Sequence, residues 1–164
     1  MQQRLADLLN ETTTVIGLKC TSAEEAIRSL TGLLVETGHV SPAFAEDVWA
    51  RERTYPTGLP TQPMAVALPH ADPDHINRSG IAVGMLAKPV PFGQMGTDGS
   101  IVLRVGIVFL LAIKEREKQV QLLQAVASRI QSPALLEGLT RAQTAKQALD
   151  LLLGSASHES GTSP

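Results

Sequence analysis

The sequence predicts a single-domain α/β sandwich in which helices flank a mixed central β-sheet. Two observations support this fold class: apolar residues follow helical spacing near both ends of the chain, and β-branched apolar runs lie between them. The chain has 164 residues, 43% of them apolar and 18% charged. A domain of this length buries roughly 70% of the surface of its unfolded chain. We therefore expect one domain over residues 1–153, followed by a flexible polar tail over residues 154–164.

Helices are predicted on both sides of the strand region. The first begins after Ser22, whose side chain can cap it, and ends at Gly38. The second starts at Ser41, with a proline next, and extends to about Arg53. Apolar spacing and turn residues predict three more helices, at about residues 115–130, 133–138 and 144–153.

Strands are predicted in the middle of the chain, where apolar runs are bounded by turn residues. These runs are residues 64–68, 80–86 and 103–113, and residues 15–16 are a further candidate. Residues 55–63 contain three prolines and a glycine, so we expect an irregular loop there. This loop leads directly into the strand predicted at residues 64–68.

Charge and composition argue against several classes of protein. The net charge is −2 and the isoelectric point is near 6.1, so no basic field attracts nucleic acids or anionic membranes. Cys20 is the only cysteine, which excludes an intrachain disulfide and fits a reducing compartment. The first residues lack the apolar stretch of a signal peptide, and no run of about 18 apolar residues occurs. We expect an unprocessed cytoplasmic protein without a nucleic-acid partner or membrane insertion.

His70 is the candidate nucleophile. It follows the apolar run at residues 64–68 and Pro69, which places it on a turn at the rim of the predicted sheet, where ligands of such sheets bind. A neutral imidazole is nucleophilic through one nitrogen when the other donates its proton to an acceptor. Such a histidine can carry a phosphoryl group, and Arg51 is the candidate cation beside it. On residue type alone, a histidine that only caps a strand end is the more common case.

An ordered set of motifs surrounds His70. Arg51-Glu52 precedes Pro56-Thr-Gly-Leu59, then come Val66-Ala-Leu-Pro-His-Ala-Asp-Pro-Asp-His75 and, before a leucine-rich helix, Ala112-Ile-Lys-Glu115. Over about residues 5–153 this order resembles the enzyme IIA components of the bacterial sugar phosphotransferase system. Within them it resembles the fructose-mannitol superfamily, and its galactitol-type branch most.

The resemblance implies a phosphoryl relay. His70 would accept phosphate from the phosphohistidine of HPr and pass it to a cysteine of a cognate enzyme IIB, for galactitol-like sugar uptake through the membrane enzyme IIC. Arg51 would lie near the phosphorylated histidine. No cofactor and no metal are implied, and Cys20 is not expected to act in the transfer. The sugar itself would not contact this domain.

One position departs from the pattern of the mannitol- and fructose-type members. Those members have a second active-site histidine at the start of the late helix, where this chain has Gln119 next to Lys118. The galactitol-type branch resembles this chain in lacking it, so the departure indicates subtype. Gln119 can donate a hydrogen bond but cannot titrate, so we expect a positioning role, with a solvated helix residue as the alternative. His75 is a further candidate that would flank the site.

Two other interpretations stay open. His70, Asp72, Asp74 and His75 could form a metal site of a hydrolase similar to the metallo-β-lactamases, although only His39 and His158 remain as further histidine ligands. Asp-Pro-Asp is also a turn sequence without any chemistry. Alternatively, the phosphorylation state of His70 could regulate another protein through direct contacts.

In the carrier interpretation, partners would dock on an apolar rim whose candidate residues are Leu59, Pro60, Met64, Phe92 and Met95.

Overall fold

The computed structural model describes residues 5–154, which fold into one mixed β-sheet with helices on both faces. The predicted fold class is confirmed. The predicted tail lies outside the described residues except for Gly154, which ends the last helix. The strands are β1 Thr14–Leu18, β2 Gly58–Leu59, β3 Ala65–Ala67, β4 Gly80–Gly93 and β5 Val102–Ala112. The helices are α1 Leu5–Leu8, α2 Ala23–Glu36, α3 Phe44–Thr54, α4 Arg116–Arg129, α5 Pro133–Arg141 and α6 Ala145–Leu153.

The sheet has the strand order β1-β4-β5-β3-β2. β4 and β5 form a long antiparallel hairpin, and β1 and β3 pair in parallel on its two sides. β2 pairs antiparallel with β3 at one edge. β3 therefore lies between two partners, and its C-terminal end opens at the rim where His70 follows.

Two apolar cores cover the two faces of the sheet. In β5, Phe109 and Leu111 contribute to the first core, whereas Val108 and Leu110 contribute to the second core on the opposite face. Helices α4, α5 and α6 pack against the first core, and α2 and α3 pack against the second. Because side chains of a strand alternate between faces, covering both faces requires the continuous apolar run seen in this strand.

Helix α2 forms as its sequence predicts. The Ser22 hydroxyl accepts a hydrogen bond from the Glu25 N–H at 3.1 Å, which caps the first turn. Gly38 follows the helix with a φ of +78°, a left-handed conformation that glycine adopts without steric cost. Both predicted boundary signals are confirmed.

The start of helix α3 differs from the prediction. The helix begins at Phe44, and Ala43 occupies the cap position without a side-chain hydrogen bond. Ser41 is instead held through its backbone: its N–H donates to the His75 carbonyl at 3.0 Å, and its carbonyl accepts from the Phe44 N–H at 3.0 Å. These bonds place a tight turn before the helix, so the prediction of Ser41 as the start was wrong.

The proline-rich loop contains a short strand that was not predicted. Gly58 and Leu59 pair with Ala67 and Val66, because the two prolines that flank this pair stand outside the ladder positions. Gly58 is also required sterically, since a Cβ atom there would lie 2.6 Å from the Gly93 carbonyl oxygen.

Strand β4 continues to Gly93, well past its predicted end. Its register with β5 shifts between Met85 and Val90, and residues 87–89 of this irregular stretch are exposed. Lys88 and Pro89 interrupt the apolar pattern there, which explains why the sequence indicates an earlier end. No helix within residues 5–154 is long and apolar enough to cross a membrane.

Candidate active site

His70 lies where the end of β3 meets β5. The Leu111 N–H donates to the Pro69 carbonyl at 3.0 Å, and His70 forms an isolated parallel bridge with Leu111. Leu68, two residues before the histidine, is buried in the first core. These contacts hold the backbone on both sides of Pro69, so the imidazole is attached to a fixed part of the sheet.

The hydrogen bond of the His70 ring defines which nitrogen is the nucleophile. Its Nδ1 lies 2.8 Å from the Leu68 carbonyl oxygen. Because a carbonyl can only accept, Nδ1 carries the proton and Nε2 keeps its lone pair. Burial lowers the pKa of His70, and the nearby Arg51 charge adds to the lowering; the bond to Leu68 and the Asp72 charge oppose it. At neutral pH the ring is therefore neutral and can attack through Nε2.

A cleft of about 690 Å³ borders His70. The end of α3 and the loop after it form one wall, the turn between β4 and β5 forms a second, and α4 contributes a third. The volume leaves room in front of the ring for a group of the size of a phosphate. The lining residues are Arg51, Thr54, Tyr55, Pro56, Thr57, His70, Met95, Gly96, Thr97, Asp98 and Leu123.

Arg51 shares this cleft with His70. Its guanidinium lies over the Tyr55 ring, 5.3 Å from the ring centroid. Its Nε is buried and has no hydrogen-bond partner within residues 5–154. A buried donor without a partner, next to a neutral imidazole, suits the oxygen atoms of an anion. Arg51 and His70 are thus brought together as the sequence suggests.

Gln119 contacts the segment that follows His70. Its side-chain amide donates to the Ala71 carbonyl at 3.1 Å, from the first turn of α4. The side chain does not line the cleft. Gln119 therefore ties α4 to the backbone next to His70 and does not contact the space in front of the ring.

The structure places His75 outside the cleft. It ends a short 3₁₀ turn, Pro73–His75, and its Nδ1 pairs with the Asp47 carboxylate of α3. Asp47 belongs to a separate, smaller pocket of about 230 Å³ that is also lined by Arg51, Asp72 and Asp74. His70 and His75 are therefore held by different partners, and Arg51 lines both the cleft of His70 and the pocket of Asp47.

Comparison with known proteins identifies the family. Residues 7–154 match the model described as "Phosphoenolpyruvate-dependent sugar phosphotransferase system, EIIA 2". The chain belongs to this family. Membership supports a role in phosphoryl transfer and confirms the resemblance seen in the motifs around His70.

Similar individual proteins and structures are consistent with this family assignment. The galactitol-specific EIIA component of Escherichia coli K12 is 25% identical over 123 residues, which cover 75% of this chain and 81% of that protein. The transcriptional regulator ManR of Bacillus subtilis is 28% identical over 145 residues, covering 85% of this chain and 21% of the regulator. A solved complex of enzyme IIA and phosphorylated enzyme IIB for mannitol from Escherichia coli has the same fold. Its TM-score is 0.74 at 24% identity, with 90% of this chain and 99% of that chain covered.

The metal interpretation finds no support in the geometry of this EIIA chain. Within residues 5–154, no three histidine, cysteine, aspartate or glutamate side chains are grouped so that they could hold a metal ion. Asp72 instead pairs with Arg116 at 3.1 Å, and His75 pairs with Asp47. Of the two further histidines, His39 bonds to Thr37 and His158 lies outside the described residues.

Glu52 and Thr57 are contacts of the site to which the sequence assigned no role. The Glu52 carboxylate is buried and accepts from the Thr57 N–H at 2.9 Å and from its hydroxyl at 2.8 Å. The same hydroxyl accepts from the Leu68 N–H at 3.1 Å. A signal was present, because Glu52 stands four residues after Val48 and so lies on the apolar face of α3.

The apolar rim was predicted only in part. Met95 lines the cleft, whereas Phe92 is buried in the second core. Tyr55 and Leu123 line the cleft and were not predicted to do so. Leu59, Pro60 and Met64 do not line it: Leu59 and Met64 pack against the first core, and Pro60 is exposed.

Proposed function

We propose that this chain is a phosphoryl carrier of the phosphoenolpyruvate-dependent sugar phosphotransferase system, phosphorylated on Nε2 of His70. The observation that carries the proposal is the hydrogen bond from His70 Nδ1 to the Leu68 carbonyl. It leaves Nε2 unprotonated in a ring that borders a cleft and has a lowered pKa. Family membership supplies the type of reaction.

The first half of the cycle loads His70. The lone pair of Nε2 forms a new N–P bond while the N–P bond to the phosphohistidine of HPr breaks, and its electron pair returns to the HPr imidazole. Arg51 stabilises the charge on the phosphoryl oxygens in transit, and its unpartnered Nε is one donor for them. Alignment and charge placement carry such a transfer, and the docked proteins provide the alignment.

The second half of the cycle transfers the phosphoryl group from His70 to enzyme IIB. A cysteine thiolate of enzyme IIB forms an S–P bond as the N–P bond to His70 breaks, which restores the neutral ring with its Nδ1 proton still donated to Leu68. Both partners dock on the same apolar surface of the cleft, which is formed by Tyr55, Met95 and Leu123. Tyr55 is 63% exposed and Met95 41% exposed, so these side chains can contact a partner.

Gln119 has a positioning role in this proposal, because it holds the Ala71 carbonyl directly after the nucleophile. His75 holds α3 through Asp47 and takes no part in the transfer. The proposal further includes a domain over residues 1–153 with a flexible tail, a cytoplasmic location, and galactitol-like uptake with enzyme IIC. The galactitol-specific relative supports the sugar class.

Two purified transfer reactions test this function. The chain is incubated with HPr that carries a labelled phosphoryl group, and then with a galactitol-type enzyme IIB. We expect label on the chain that is acid-labile and base-stable, followed by its movement to enzyme IIB. An enzyme IIB variant with its active cysteine replaced by serine is the control and should stay unlabelled. A chain that takes no label from phosphorylated HPr would contradict the proposal.

A second candidate function is regulation, which the similarity to the regulator ManR favours. Here His70 takes the same phosphoryl group, but its state alters binding to another protein. In the same assay the loaded chain would keep its label in the presence of enzyme IIB, and it would bind a regulator differently before and after loading.

A further inference from the structure

Four hydrogen bonds connect the carboxylate of Glu52 to the ring of His70. Glu52 accepts from the N–H of Thr57 at 2.9 Å and from its hydroxyl at 2.8 Å. The hydroxyl accepts from the Leu68 N–H at 3.1 Å, and the Leu68 carbonyl accepts from His70 Nδ1 at 2.8 Å. Glu52 is 5% exposed and Thr57 is 3% exposed, so water does not substitute readily for these partners.

We propose that Glu52 and Thr57 are positioning residues that hold Leu68 in place and thereby keep His70 in the tautomer with the proton on Nδ1. The proton position in a neutral imidazole depends on the acceptor available to each nitrogen. If the Leu68 carbonyl moves, Nδ1 loses its acceptor, and a proton on Nε2 would remove the lone pair that attacks phosphorus. The activity part of this inference rests on the proposed function, whereas the tautomer part does not.

The position of Leu68 depends on the loop before β2. Its N–H lies one residue beyond the last pairing of β2 with β3, Gly58 with Ala67, so the ladder supplies no partner for it. The Thr57 hydroxyl accepts this N–H in place of a backbone carbonyl of a neighbouring strand. On the other side, the Pro69 carbonyl is held by the Leu111 N–H. The backbone is therefore fixed on both sides of the Leu68 carbonyl, by a side chain at the Leu68 N–H and by the sheet at the Pro69 carbonyl.

The chemistry at position 57 requires a hydroxyl. The Leu68 N–H can only donate and the Glu52 carboxylate accepts, so the group between them must donate and accept at the same time. A hydroxyl does this within the volume of a small side chain, and the carboxylate fixes its direction. The cost of burying Glu52 agrees with a specific role, since burial raises the pKa of Glu52 to about 7 against the opposing bonds from Thr57.

Substitutions at Thr57 test the inference. Thr57→Val keeps the shape of the side chain but removes the donor and the acceptor, and Thr57→Ser keeps both. Thr61→Val is the matched control, because Thr61 is a buried threonine of the same loop whose hydroxyl bonds to the Met64 carbonyl at 2.7 Å, away from His70. The ¹⁵N shifts of the His70 ring report the tautomer, and transfer from HPr reports the maximal rate and the half-saturating HPr concentration.

We expect Thr57→Val to reduce the population of the Nδ1–H tautomer and to lower the maximal rate by about 10-fold to 100-fold, with little change in half-saturation. Thr57→Ser and Thr61→Val should match the wild-type chain in both measurements. A wild-type tautomer population in a folded Thr57→Val variant would overturn the inference, and so would an equal loss in Thr61→Val.

Glu52→Gln keeps the inference testable if Thr57→Val does not fold. A glutamine oxygen can still accept from one of the two Thr57 donors, so a smaller tautomer change in the same direction is expected. An unchanged tautomer in that variant would overturn the inference. If no chain, wild type included, accepts phosphate from HPr, the proposed function fails, while the ¹⁵N measurement still decides the positioning role.

Discussion

His70 and His75 stand five residues apart in one segment, but the structure gives them opposite surroundings. His70 is 8% exposed, bonds to a backbone carbonyl and borders the cleft. The His75 side chain is 42% exposed and pairs with a carboxylate of α3. Burial and the nearby Arg51 charge lower the pKa of His70 and so favour its neutral ring. The surroundings, and not the residue type, therefore distinguish the proposed nucleophile from its neighbour.

Removal of each ring in turn should give the largest difference in phosphoryl transfer. His70→Ala should abolish the acid-labile, base-stable label transferred from HPr phosphohistidine, since His70 is the only histidine among the described residues that line the cleft. His75→Ala should keep the label, because its ring contacts Asp47 and not the cleft. Labelling of both variants with a radioactive phosphoryl group measures the contrast. Label that survives in the His70 variant would remove the basis of the assignment.

The cation beside His70 provides the next largest effect. Arg51→Met should slow transfer from HPr by about 10²-fold to 10³-fold, as is typical when a donor to the transition state is removed. Arg53→Met is the matched control, since Arg53 lies on the same helix but stacks on Trp49 at 5.5 Å and does not line the cleft. Single-turnover rates compare the two. Equal losses of rate in the two variants would show that transfer depends on the total charge of α3 and not on the position of Arg51.

Titration of the His70 ring tests its buried surroundings. The folded-state pKa of His70 lies below its usual value of 6.5, so the ring gains its proton only when the pH falls below that value. Its ability to accept phosphate should therefore persist below pH 6.5 and disappear as the pH drops through the lowered pKa. NMR titration of ¹⁵N-labelled histidine follows His70 directly, with the His75→Ala variant used to assign the signals. A His70 midpoint at or above 6.5 would contradict the assigned environment.

Gln119 should give the smallest effect. Gln119→Leu removes the hydrogen bond to the Ala71 carbonyl, which is worth about 1 kcal/mol, and should slow transfer about five-fold. Gln131→Leu is the control, because that side chain bonds to the Ala127 carbonyl of α4 and lies away from His70. A rate equal to that of the control would mean that Gln119 only occupies the surface of α4.

Features with a local cause could be predicted from the sequence. The Ser22 cap and Gly38 mark both ends of α2, because the interactions that define them span only a few residues. His70 could be placed at the rim because a proline follows an apolar run. Arg51 could be placed near it only through the family resemblance and the general need for a cation.

Features with a long-range cause could not be predicted. Ser41 has the residue type of a helix cap, but its backbone is used by His75, far along the chain. The pairing of β2 depends on β3, which no local pattern in a proline-rich loop reveals. The link from Glu52 through Thr57 to Leu68 depends in the same way on tertiary contacts, although an acidic residue on the apolar face of α3 indicates that a buried partner exists.

The nitrogen of the His70 imidazole that carries phosphorus can be determined directly by NMR. A ¹⁵N-labelled chain is phosphorylated by HPr, and long-range ¹H–¹⁵N and ³¹P spectra identify the modified nitrogen. Because His70 Nδ1 donates to the Leu68 carbonyl, we predict phosphorus on Nε2 of His70 and a retained Nδ1 proton. Phosphorus on Nδ1, or on another residue such as His75, would contradict the assignment of His70 Nε2 as the nucleophile.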